Sequence, residues 1–209
     1  MSDAAYIAAK GAAPRAEAPE VAKAQQQQKR GYMDHFVSDL KKIKAQARMH
    51  MEAGAVTEAY KADRKQVVAV LNDVLATEIV CVLRYKRHFF MARGINADSI
   101  KAEFLQHASD EQQHADWIAE RIVQLNGEPN LNPEGLATRS HSDYQEGANL
   151  IDMIKEDLVA ERIAVDSYSE IARWLGDDDS TTRRLMEAIL KIEEEHADDL
   201  ASMLTKTAN

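Results

Sequence analysis

The sequence predicts an all-α protein: a four-helix bundle with one long crossover between its second and third helices, preceded by an N-terminal helical extension. Three observations carry this. Ala, Leu, Glu, Lys, Gln, Arg and Met, the better helix formers, dominate the chain, and only four prolines and eight glycines punctuate its 209 residues. Apolar residues recur at i, i+3, i+4 spacing over four long segments, with no Val/Ile/Thr alternation of the strand kind. Finally, one short pattern occurs twice. Glu78 precedes Glu111-Gln-Gln-His114 and Glu161 precedes Glu193-Glu-Glu-His196, with offsets of 33 and 32 residues.

Residues 1–30 read as a flexible tail. They are Ala-rich, carry Pro14 and Pro19, and end in a Gln25–Gln28 run, with too little apolar surface to offset the entropy of ordering. Residues 31–56 read as an amphipathic helical extension, with Met33, Phe36, Leu40, Ile43 and Ala47 at helical spacing and Gly54 as a stop. The bundle fills 57–209. Its first helix spans about 57–93, where Val67, Val70, Leu71, Val74, Leu75, Glu78, Val82 and Tyr85 share a face and Gly94 is the C-cap. The second spans about 97–126 through Phe104, Ala108, Glu111, Ala115, Ile118 and Ile122, ending at Asn126-Gly127. Pro129, Pro133 and Gly135 mark a connection over about 127–146. The third helix covers about 147–175, Asp177–Ser180 forms a turn with an N-cap candidate, and the fourth covers about 180–206. Short links make helices one and two, and three and four, antiparallel hairpins. The link of about 20 residues is long enough to run the length of a helix about 42 Å long.

A formal net charge of −9 and a pI near 5.3 argue against a general nucleic-acid surface and suit a protein that attracts cations. The tail, with five basic against three acidic residues, makes DNA only a weakly supported partner. The lone cysteine, Cys81, excludes an intrachain disulfide and fits a reducing cytoplasm. No run of about 18 apolar residues and no signal-peptide pattern is present, so a cytoplasmic location without a membrane span is expected.

The repeated pattern carries the chemistry. Residues i and i+3 of a helix share a face, so each Glu-x-x-His aims a carboxylate and an imidazole the same way. A single copy in a Glu-rich helix is usually a solvated face, and Glu193-Glu-Glu195 is itself a charge run. Two copies, each preceded by a Glu about 32 residues earlier, point instead to a buried ligand set for two metal ions. Glu78 also sits among apolar neighbours, in Leu75–Leu83. Cations would remove the cost of burying four carboxylates. The expected arrangement puts Glu78 and His114 on one metal, Glu161 and His196 on the other, and Glu111 and Glu193 between them. Two iron ions per subunit are expected, with manganese or zinc as alternatives.

Leu71–Glu78 with Tyr85 and His88, Asp110–Asp116, Asp157–Glu161, Glu193–Leu200 and Gly127–Leu131 together resemble the bacterioferritins, over about residues 60–205. The resemblance implies a ferritin-like fold and a ferroxidase that oxidises Fe(II) and stores ferric mineral inside a hollow homo-oligomeric shell. It also implies that Tyr85 and Asp157 stand beside the ligands, hydrogen-bonded to each other. Three departures bear on this. Gln112 and Gln113 stand where that family carries a Met, so haem is not expected. Thirteen residues follow His196, too few for the family's fifth helix. An extension precedes the bundle. The last two features resemble the Dps proteins, whose shells have 12 subunits rather than 24, although Dps iron sites lie between subunits. The expectation is a Dps-like mini-ferritin with a bacterioferritin-type site, using hydrogen peroxide or O2. Its rivals are a non-mineralising dimetal enzyme (manganese catalase or peroxidase) and a DNA-protecting Dps-type shell. A rubrerythrin would add an iron domain with four cysteine ligands, which a single cysteine excludes.

Among other residues, His88 is read as a surface or outlying histidine, His107 as lying on a face similar to that of His114, and Cys81 as a small core residue. Trp117 and Trp174 are read as packing or interface residues, and Asp177–Asp179 as a solvated turn.

Overall fold

The computed structural model describes residues 40–94 and 97–207, and these divide into two units at residue 51. In the first unit residues 40–46 are helical; the tail and the rest of the predicted extension helix before residue 40 lie outside the described residues. A 3-10 turn spans Met51–Ala53, and the first long helix of the second unit, α1, spans Arg64–Met91. It begins seven residues later than the apolar pattern indicates, because Asp63 caps it. The Asp63 carboxylate accepts the Lys65 and Gln66 amides at 3.0 and 3.2 Å.

The helix α2 spans Ala97–Gln124 and ends with Asn126 in the left-handed region (φ 57°) and the Gly127 amide donating to Ile122 O at 2.9 Å. A Cβ on Gly127 would lie 2.7 Å from the Val68 side chain, so the end of α2 can close on α1 only at a glycine. The third helix, α3, spans Leu150–Leu175, three residues shorter at its start than predicted, because Asn149 accepts the Asp152 amide at 3.0 Å as its cap. The fourth, α4, spans Ser180–Thr207. Among the described residues there is no strand.

The crossover, with one helical turn at Leu136–Arg139, is laced along α1. Asn72 binds Glu128 O and the Asn130 amide, Thr77 accepts the His141 amide, Arg84 reaches Asp143 O, and Arg87 pairs with Glu146 at 2.7 Å. It thus climbs from the start of α1 to its end before α3 turns back, which sets α1 antiparallel to α3 and α2 antiparallel to α4. Cross-bundle pairs agree: Glu78 with Tyr168 and Arg84 with Asp157, Arg121 with Thr182 and His196 with Asp110.

Two apolar clusters fill the bundle. One, around Leu71, Leu75, Ile118, Ile122, Met186 and Ile189, occupies the end near the α3–α4 turn. The other, around Phe104, Ala108, Ile154 and Leu200, occupies the opposite end. By length and composition α1 could cross a membrane, which the expectation of no apolar run overlooked; 56% of its most apolar window is buried inside the bundle. Its apolar character is that of a core helix.

Asp179 is not the solvated turn residue expected. It is 4% exposed and accepts from Arg121 (2.9 Å), the Thr182 amide (2.9 Å) and the Tyr60 hydroxyl (2.9 Å). Burial alone would raise its pKa; the bonds from Thr182 and Tyr60 and the Arg121 charge outweigh that and hold it below the usual carboxylate range. Arg121→Met should therefore lower the unfolding free energy by about 3 kcal/mol, since it strands a buried charge. A depressed carboxyl loses its contribution as pH falls, so the deficit should narrow below about pH 4. Urea denaturation at pH 7 and pH 3.5 checks both; an unchanged midpoint at pH 7 would show that the pair contributes nothing.

Candidate metal centre

Between the two apolar clusters lies a layer of charge. Glu78 comes from α1, Glu111 and His114 from α2, Glu161 from α3, Glu193 and His196 from α4, and none is more than 4% exposed. They form two overlapping groups, Glu78–Glu111–His114–Glu193 and Glu111–Glu161–Glu193–His196, each with ligand atoms within 4.8 Å of one another. Glu111 and Glu193 belong to both groups.

One nitrogen of each histidine faces three carboxylates. His114 Nδ1 lies 3.0 Å from Glu193, 3.3 Å from Glu78 and 3.5 Å from Glu111. His196 Nδ1 lies 3.3 Å from Glu193, 3.4 Å from Glu111 and 3.9 Å from Glu161. Close as they are, these atoms are not aligned as hydrogen bonds. Glu78 Oε2, Glu111 Oε1, both Glu193 carboxylate oxygens, both His114 nitrogens and His196 Nδ1 are buried without a hydrogen-bond partner. Orphaned polar atoms are rare in folded proteins, and each costs about 1–3 kcal/mol. Six of the seven, all but His114 Nε2, face one another around the two histidine Nδ1 atoms, and that set of ligand-type atoms fits a pair of metal ions. Four carboxylates and two neutral imidazoles also balance two divalent cations.

The carboxyl pKa values follow from burial and crowding. Burial, then the Glu111 charge, pushes Glu78 up to about 8. Burial, then the charges of Glu111 and Glu193, pushes Glu161 well above its usual value. Burial and the Glu193 charge act upward on Glu111 too, but its contacts with His114 and His196 outweigh them and hold it low. Burial opposes protonation of His196, yet Glu111 and Glu193 raise it to about 10. His114 is raised in the same way by Glu111, Glu193 and Glu78 against its burial.

The surroundings differ from those expected. The Tyr85 hydroxyl donates to Glu161, not to Asp157. Asp157 instead accepts from Arg84 Nε and from His88 Nδ1, both at 2.8 Å. Of the two readings of His88, the outlying residue fits and the surface histidine does not: it is fully buried, its Nε2 3.1 Å from Glu146 O in the crossover. Cys81 is a buried core residue, with Arg84 Nη2 3.4 Å from its sulfur. Trp117 lies against His114, ring centroids 5.7 Å apart, and Trp174 is about half exposed.

Sequence reasoning missed Tyr168, whose hydroxyl donates to Glu78. A signal was there: Tyr168 stands seven residues after Glu161, as Tyr85 stands seven after Glu78. It also missed Asp110, 3.4 Å from His196 Nε2, an outer partner that orients the imidazole. His107 stacks on His196, centroids 4.0 Å apart, and its Nδ1 lies 3.2 Å from the Tyr85 hydroxyl. Burial, then the His196 charge, lowers the His107 pKa to about 3.

Fold and buried layer together define a class, the four-helix bundles with a carboxylate–imidazole core. The ferritin-like domain model matches residues 68–209, and the chain belongs to that family. The bacterioferritin of Desulfovibrio desulfuricans is 29% identical over 136 residues, covering 64% of this chain and 72% of the relative. That of Brucella melitensis is 29% identical over 142 residues, covering 66% and 83%. The dodecameric thioferritin of Bacteroides fragilis, a bacterioferritin-related protein, superposes with a TM-score of 0.68 at 31% identity, over 71% of this chain and 89% of that one. Dps from Thermosynechococcus elongatus shares the fold at a TM-score of 0.65 and 21% identity, over 67% and 90%.

In the metal-free chain Glu78 and His196 bind protons more tightly folded than unfolded. Their contribution favours the folded state at low pH and fades as pH rises through about 8 and then about 10. A metal must displace those protons. Metal-free protein loaded with Mn(II) at pH 7 should therefore release protons to an indicator dye, and its affinity should rise with pH through about 8. Loading without proton release would show that these groups are not the ligands.

Proposed function

We propose that this chain is an iron-storage and detoxification protein that oxidises Fe(II) with hydrogen peroxide or O2 at a dimetal site within one subunit. The observation that carries the proposal is the buried layer of ligand-type atoms lacking hydrogen-bond partners. Glu78 and His114 would hold one metal, Glu161 and His196 the other, and Glu111 and Glu193 would bridge. Iron is the expected occupant; manganese or zinc suits the same donors. A ferrous pair held by these residues would supply the two electrons that one peroxide molecule takes up, which would avoid one-electron products.

The protein's own residues do the positioning. Tyr85 and Tyr168 each donate to the Glu of the opposite half, so Glu161 and Glu78 are steered from across the bundle. Asp110 holds the outer nitrogen of His196. The apolar clusters on both sides keep the layer out of bulk water, which strengthens every charge contact within it. Ferric product would accumulate inside a homo-oligomeric shell. Twelve subunits are favoured, since the Bacteroides neighbour is described as dodecameric and the Dps proteins share the fold.

The test is Fe(II) loading of metal-free protein, with O2 and separately with peroxide, followed by gel filtration. Retention of far more than two irons per chain, co-eluting with a shell, is the expected result. Retention stopping near two with rapid oxidation would replace storage by a non-mineralising dimetal oxidase or peroxidase. Glu111→Ala and Glu193→Ala should each slow oxidation by more than about 100-fold, beyond the loss usual for outer partners, without changing the elution volume. Unchanged initial rates in both variants would sink the assignment.

A further inference from the structure

His88 is fully buried on α1, and both of its ring nitrogens face acceptors. Nδ1 lies 2.8 Å from Asp157 Oδ2 on α3. Nε2 lies 3.1 Å from Glu146 O and 3.2 Å from Gln145 O, both in the crossover. The Phe104 ring of α2 stands beside the imidazole, centroids 5.7 Å apart. One buried ring therefore meets α2, α3 and the crossover at once.

A carbonyl oxygen only accepts, so Nε2 must carry a hydrogen to bond there. In a neutral ring Nδ1 would then set a bare lone pair against the Asp157 carboxylate. Two arrangements avoid that clash: a second hydrogen on the ring, or a hydrogen on Asp157. Arg84 decides between them. Its Nε donates to the other Asp157 oxygen at 2.8 Å, and both side chains are fully buried. A protonated Asp157 would leave that guanidinium in the core without its counter-charge, which is costly. An ionised Asp157 serves two cations, one on each oxygen.

We infer that His88 is held as an imidazolium, with a hydrogen on each ring nitrogen, and that it is a positioning residue for the Glu161 half of the layer. Its route to the layer is short. Asp157 stands four residues, about one turn, before Glu161 on α3, so fixing one carboxylate fixes the rotation that aims the other. A neutral ring would keep the crossover or Asp157, but not both. The charge state follows from the partners of His88 alone; its consequence for a metal rests on the proposed function above.

Long-range proton–nitrogen NMR correlation of the metal-free full chain, labelled in its histidine nitrogens and held at neutral pH, tests the charge state. The His88 ring is assigned by its contact with the Phe104 ring. Two nitrogens of the protonated type are expected; one of the bare lone-pair type would overturn the imidazolium. Co(II) titration, followed by visible absorbance, tests the positioning. His88→Gln carries no charge and should weaken one of the two Co(II) ions about tenfold, the lower end of the loss usual for outer partners. Asp157→Asn should give the same loss, and decides the matter if His88→Gln does not fold. In a Glu161→Ala background neither substitution should cost anything further, because the carboxylate being positioned is gone. An equal loss in both backgrounds would mark a general structural effect and remove the positioning role. If Glu111→Ala/Glu193→Ala binds as much Co(II) as the wild type, the dimetal reading fails and the positioning role with it, while the nitrogen signals alone still decide the imidazolium.

Discussion

Everything in this bundle is arranged around the cost of holding four carboxylates and two imidazoles away from water. In an isolated core such a layer is untenable: like charges crowd Glu78, Glu111, Glu161 and Glu193, and most of their facing atoms lack partners. Protons relieve part of this cost in the metal-free chain: burial first, and then like-charge crowding, makes Glu78 and Glu161 titrate high, and the carboxylates draw protons to both histidines. Two divalent cations would balance the four carboxylates. The fold concentrates the burden in one layer and stabilises the rest of the core with apolar packing at both ends.

The layer has an approximate twofold relation inherited from the repeated pattern. Tyr85 to Glu161 and Tyr168 to Glu78 are the same contact made twice, across the antiparallel α1–α3 pair. The α2–α4 side breaks the relation. His196 has Asp110 on its outer nitrogen and the His107 ring stacked on its face, whereas both nitrogens of His114 lack hydrogen-bond partners and Trp117 lies beside its ring. The two halves of the layer therefore meet different surroundings: His196 has a carboxylate and a second imidazole beside it, and His114 is backed by an aromatic.

The helix count and pairing were legible from periodicity and loop length, because a 3.6-residue apolar pattern and a 20-residue link leave few alternatives. The six polar residues of the layer were legible because they repeat at nearly equal offsets. Less legible was whatever depends on short side-chain contacts. The start of α1 moved from 57 to 64 because Asp63 caps the helix, and an apolar pattern that runs through the cap gives no sign of it. Tyr85 lies within reach of two carboxylates one turn apart on α3, and only the rotation of α3 decides between Glu161 and Asp157. Asp179 looks like any turn aspartate until Arg121, 58 residues earlier, is brought onto it.

That rotation is fixed outside the layer. Asp157 sits one turn before Glu161, and both of its oxygens are used, one by Arg84 and one by His88. Arg84 and His88 are themselves one turn apart on α1, and each also reaches a carbonyl of the crossover, Asp143 or Glu146. A slip of α3 by a single turn would strand the buried Arg84 charge, at a cost of about 3–5 kcal/mol. It would also carry Glu161 away from Tyr85. The buried cation–carboxylate clamp therefore sets the register, and the register sets where the Glu161 carboxylate points. The crossover, which carries none of the six polar residues of the layer, takes part in positioning them because its carbonyls complete the clamp.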